Sequence, residues 1–103
     1  YVDGGVRRGS DVIKALCLGA KGVGLGRPFL FAMAGYGEQG VTRMIDIIKE
    51  EMVNNMKLLG VDSIKDLNED LVDTYNLKFR SASVLDDQYK SNYEEMLFPS
   101  FKD

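Results

Sequence analysis

The chain has 103 residues, the length of one modest domain, and its 45% hydrophobic content argues for buried apolar surface rather than disorder. A formal charge of −3 gives no general attraction to nucleic acid, and no apolar run reaches the length of a membrane span. The single cysteine, Cys17, excludes an internal disulfide framework. The charge is unevenly placed: residues 1–80 carry 11 basic and 11 acidic side chains, while residues 81–103 carry 2 and 5. The sequence opens at Tyr1 inside an apolar run and holds no histidine. We therefore expect the C-terminal piece of a longer protein.

Tyr1-Val2 reads as the end of a buried strand, stopped by Asp3-Gly4-Gly5. Ser10 is the expected N-cap of a helix whose apolar face is Val12, Ile13, Ala15, Leu16 and Ala20, ending near Gly19. Lys21 to Leu25 suits a second short strand, and Pro28 suits the first turn of a second helix, where its missing N–H is harmless. Strand, loop, helix, strand, loop, helix is a βαβα order, which implies parallel strands.

Glu38 to Leu59 is the longest expected helix. Val41, Met44, Ile45, Ile48, Met52, Met56 and Leu59 recur at helical spacing, so their stripe must face something large. Gly60 is its expected C-cap, and Ser63 is the expected cap of a short helix that follows. The segment 81–103 is acidic yet carries Tyr89, Tyr93, Leu97, Phe98 and Phe101. Those aromatics suit an arm that docks on another surface; the alternative is an unstructured terminus.

Two glycine–arginine clusters stand about twenty residues apart: Gly4-Gly5-Val6-Arg7-Arg8-Gly9 and Gly22-Val23-Gly24-Leu25-Gly26-Arg27. Each follows a short apolar run and precedes a helix. Glycines allow positive φ and close approach, successive backbone N–H groups form an anion-binding concavity, and arginine offers a fork for two phosphate oxygens. We read the pair as one phosphate grip; the alternative is tight turns with surface arginines. A Rossmann fingerprint fails because Arg27 stands where the third glycine or alanine is needed, and no Gly-Lys-Ser/Thr of a P-loop occurs. The two loops after the last strands of a (β/α)₈ barrel are a frequent phosphate site, and they fit this order.

The stretch DGGVRRGSDVIKALCLGAKGVGLGRP resembles the C-terminal motif of the FMN-dependent α-hydroxy acid oxidases and dehydrogenases. The resemblance implies an α/β fold, with this chain as the last two βα units plus tail of a TIM (β/α)₈ barrel. By domain, it implies barrel units over 1–60, a short post-barrel helical segment over 61–80 and a subunit-contact tail over 81–103. Carried over by motif position, Asp3, Gly4, Gly5, Val6 and Arg7 would line the FMN ribityl chain and phosphate. Gly26 and Arg27 would complete the phosphate cradle. Ionised Asp3 can only accept hydrogen bonds, so a ribityl hydroxyl is its natural partner.

The segment KLLGVDSIKDLNEDLVDTYNLK and the acidic tail are similar to the fungal lactate dehydrogenase branch that passes electrons to cytochrome c. That likeness implies oxidation of L-lactate to pyruvate through FMN, with cytochrome c as acceptor, a homotetramer with tail contacts, and the mitochondrial intermembrane space. It leaves room for a haem in a domain upstream. Two other readings stay open: an oxidase that uses oxygen on glycolate or another 2-hydroxy acid, in the peroxisome or cytoplasm, and a phosphate-binding or assembly module without chemistry. In the family a histidine is the base and an arginine pairs the substrate carboxylate, both upstream of this motif. No catalytic residue and no metal ligand is assigned, and these residues alone are expected to be inactive. No nucleic acid partner and no membrane span is expected.

Overall fold

The computed structural model describes residues 1–80. By internal contacts the chain divides into Tyr1–Asp73 and Thr74–Asp103. The aromatic tail and its proposed docking lie outside the described residues.

In the first unit, Val2 pairs in parallel with Val23, its N–H donating to Gly22 O at 3.1 Å while Gly24 N–H donates to Val2 O at 2.8 Å. The two expected strands are thus reduced to one bridging residue each. The physical reason is local. Gly4 and Gly5 turn the chain immediately after Asp3 with φ of 85° and 72°, and glycines flank Val23 on both sides. Neither run is long enough for a ladder. The expected order and parallel sense nevertheless hold.

α1 spans Gly9–Cys17 and begins one residue before the expected cap. Ser10 lies inside the helix. Arg8 O accepts the first helical bonds from Asp11 and Val12, and Asp11 Oδ2 accepts from the N–H groups of Arg7 (3.0 Å) and Arg8 (3.1 Å). An acid at the third helical position thus does the capping expected of Ser10. The other end is a Schellman closure: Gly19 N–H reaches Leu16 O and Ala20 N–H reaches Ala15 O.

α2 spans Arg27–Leu59, with Pro28 in its first turn and a non-helical residue, Gly37 (φ 60°, ψ −144°), inside it. The kink at Gly37 separates the turn-opening segment from the long amphipathic one, which starts at Glu38 as expected. Gly60 closes the helix with φ 69°, and Val61 N–H bonds Met56 O.

α1 packs on α2. Val6, Val12 and Ile48 form the buried cluster, with Leu16, Val23, Leu25, Met44 and Met52 against it. Of the expected stripe only Ile48 is buried, while Val41, Met44, Met52 and Met56 are half-buried. Ile45 and Leu59 are 37% and 38% exposed, and Leu58, off the stripe, lies open. α1 has nine residues, about 13.5 Å of helix, against roughly 33 Å for the segment after Gly37, so it can cover no more.

Beyond α2 come two 3₁₀ turns, Ile64–Asp66 and Glu69–Leu71. Ser63 Oγ accepts from Lys65 N–H at 3.2 Å, as the sequence suggests, and Asn68 Oδ1 does the same for Asp70 at 3.0 Å. In the second unit, Leu77–Arg80 forms α3, and the ring of Phe79 within it lies 6.3 Å from that of Tyr75, which precedes the helix. Among the described residues no helix is long and apolar enough to cross a membrane.

Candidate functional site

The two glycine–arginine loops meet at one open cleft of about 580 Å³. Asp3, Gly4, Gly5, Val6 and Arg7 make one wall. Gly24 to Pro28 and Phe31 make the other. All seven residues singled out from the sequence (Asp3 to Arg7, Gly26 and Arg27) thus lie around the same space.

The parallel Val2–Val23 pairing produces this meeting, because both loops leave the same end of the paired residues. The first wall turns on Gly4 and Gly5, whose positive φ an L side chain rarely adopts. The second wall is the start of α2, where Gly26 O accepts from Phe29 N–H at 3.0 Å and begins the helix. A Cβ built on Gly4, Gly5 or Gly26 meets nothing within 4 Å, so the glycines leave room beside the backbone on both walls.

The donors divide along the first loop. The N–H groups of Arg7, Arg8 and Gly9 end on carboxylates of Asp11 and Glu51. Among the described residues, those of Gly4, Gly5, Val6, Gly26 and Arg27 have no partner within the chain. Arg7 and Arg27 are exposed, and the ion pair formed among the described residues is Arg43–Glu50 instead. N–H groups and two guanidinium groups unpaired among the described residues, with a helix start, around one cleft are what an anion needs. Asp3, on the same wall, adds an acceptor for a hydroxyl group. No group of three or more potential metal ligands occurs among the described residues.

The sequence reading passed over Leu25, Pro28 and Phe31 as lining residues. Phe31 was detectable: it stands four residues after Arg27, so a helix beginning at Arg27 puts both on one face.

The family model described as FMN-dependent dehydrogenase matches residues 1–74. The chain belongs to this family. FMN is the family's cofactor, and its phosphate and ribityl hydroxyls match the donors and acceptor of the cleft. Relatives similar to this chain include the L-lactate dehydrogenase (cytochrome) of Wickerhamomyces anomalus, 54% identical over 99% of the chain and 18% of the relative. The 2-hydroxyacid oxidase 2 of Bos taurus is 50% identical over 70% of the chain and 20% of the relative. Among solved structures, the flavin-binding domain of baker's yeast flavocytochrome b2 superposes with a TM-score of 0.74, at 54% identity, over 99% of this chain and 26% of that one. The chain spans about a fifth of the length of the curated relatives it matches.

Proposed function

We propose that this chain is the FMN-phosphate-holding end of an enzyme that oxidises L-lactate to pyruvate and passes the electrons to cytochrome c. One observation carries the choice within the family. The likeness to the cytochrome-linked lactate dehydrogenase covers 99% of the chain, whereas that to the bovine hydroxyacid oxidase covers 70%. The former therefore extends into the region beyond the family motif. The fold proposed for the whole is a (β/α)₈ barrel, with these residues as its last two βα units. A homotetramer in the mitochondrial intermembrane space, with a haem in a further domain, belongs to the same reading.

In this reading Gly4, Gly5 and Val6 offer N–H groups to the phosphate, Arg7 and Arg27 offer guanidinium forks, and Gly26 lets the start of α2 approach. Asp3 accepts from a ribityl hydroxyl, because its charge keeps it from the phosphate. FMN, when bound, supplies the acceptor for the electrons of the hydroxy acid. The residues of this chain bind and orient it, and none is assigned to proton transfer.

The 50% identity to a hydroxyacid oxidase supports one alternative, oxidation of glycolate or another 2-hydroxy acid by oxygen in the peroxisome. A visible spectrum of the natural enzyme, followed by lactate-driven reduction of cytochrome c, separates the two. A haem Soret band over the flavin, with cytochrome c reduced, is the expected result. Flavin alone, with oxygen consumed and cytochrome c unreduced, selects the oxidase.

A further inference from the structure

The loop that carries Gly4 and Gly5 has two consecutive left-handed glycines, so its own backbone does little to hold it in one shape. Upstream it is held by the Val2 pairing. Downstream, three consecutive N–H groups all end on carboxylates. Those of Arg7 and Arg8 donate to Asp11 Oδ2, and that of Gly9 donates to Glu51 Oε2 at 2.7 Å. Glu51 comes from α2, forty-two positions along the chain, and the bond is partly buried. Gly9 itself is buried, and a Cβ there would stand 2.6 Å from Glu51 Cβ and 2.7 Å from Met52 N, so the backbone of α1 sits directly on α2.

We infer that Glu51 and Asp11 are positioning residues for the cofactor phosphate. Neither lines the cleft. Together they take up the N–H groups of residues 7–9, which fixes where the loop ends and leaves those of Gly4, Gly5 and Val6 facing no competitor among the described residues. Glu51 also ties the end of the loop that makes the first wall to the long segment of α2 beyond the Gly37 kink. The inference rests on the assignment of the cleft to the FMN phosphate.

The test is a titration of the full-length apo-enzyme with FMN and with riboflavin, which is the same flavin without the phosphate. Glu51→Leu removes the acceptor. It is expected to weaken FMN about tenfold and riboflavin less than about twofold, as suits a hydrogen bond that acts only through the phosphate loop. Glu51→Gln keeps an acceptor oxygen and should stay within about threefold of the unaltered enzyme for both flavins. Equal weakening of both flavins by Glu51→Leu, or of neither, overturns the inference. So does a loss of FMN in Glu51→Gln as large as that in Glu51→Leu. Should Glu51→Leu not fold, Asp11→Ala carries the same comparison, with the same expected selectivity and the same overturning result. Arg27→Ala is the control. If it leaves the FMN-to-riboflavin ratio unchanged, the phosphate assignment itself fails. If the ratio falls with Arg27→Ala but not with Glu51→Leu or Asp11→Ala, the clamp alone fails.

Discussion

At the scale of single residues, the cleft is built by atoms left out as much as by atoms present. Gly4 and Gly5 hold φ of 85° and 72°, and replacing either by Ala should cost about 1–2 kcal/mol, because the Cβ then crowds the following carbonyl. Chemical denaturation of the flavin-free enzyme measures this. Gly9→Ala acts differently. Its Cβ would meet backbone atoms of Met52 and Ile48 at 2.7 and 2.8 Å, which a flexible side chain cannot relieve. We expect a loss of about 1–3 kcal/mol as α1 is pushed off α2. Arg27→Ala should weaken FMN binding by about 1.5–3 kcal/mol, the range for a hydrogen bond to a charged group. Flavin fluorescence in equilibrium titration checks it, and unaltered affinity would count against the role given to Arg27. By contrast, Arg43 and Glu50 are 63% and 64% exposed at 3.5 Å, and their pairing should contribute little.

At the scale of elements, the helices were readable because their signals are local. The apolar spacing after Glu38, the turn-opening Pro28 and the closing Gly60 all lie within a few residues of what they control. Ser10 misled because two capping devices stood side by side. Asp11, one residue later, reaches back to two N–H groups and moves the helix start to Gly9. The α1–α2 contact centres on Ile48, which is 8% exposed among Val6 and Val12. Ile48→Ala should therefore cost about 2–4 kcal/mol, read from the unfolding midpoint in denaturant, while the same change at exposed Leu58 should cost under about 0.5 kcal/mol. Equal costs at the two positions would show that the helices are not packed as described.

At the scale of the whole molecule, Val6, Val12, Ile13, Cys17 and Ile48 are the buried apolar side chains of the described residues, and Leu30, Phe31, Met33 and Tyr36 lie well over half exposed. Few residues are thus withdrawn from water against the entropy of ordering the chain. A parallel strand pair also needs cover on both faces and partners on both edges. Residues 1–103 produced by themselves are therefore expected to aggregate or stay loosely helical and to bind FMN poorly. A cooperative thermal transition with tight flavin binding would contradict this.

The glycine–arginine loops, the end of α1 and both ends of α2 were legible from Tyr1 to Gly60 because each depends on neighbours in the chain. Backbone freedom at Gly4, the charge of Arg27 and the caps of α2 follow from residue type and spacing alone. Three features were decided only in three dimensions. That Val2 pairs with Val23 was decided only by the fold, since the partners lie twenty-one positions apart, although the glycines beside them already limited the pairing to one bridge. Most of the amphipathic stripe was only partly covered, with Ile48 alone of its seven residues buried, since the length of α1 limits what it covers. The bond from Gly9 to Glu51 joins residues forty-two positions apart, and no local pattern distinguishes that glutamate from Glu50 beside it. Local preference shapes each loop, but only packing decides which distant carboxylate holds it in place.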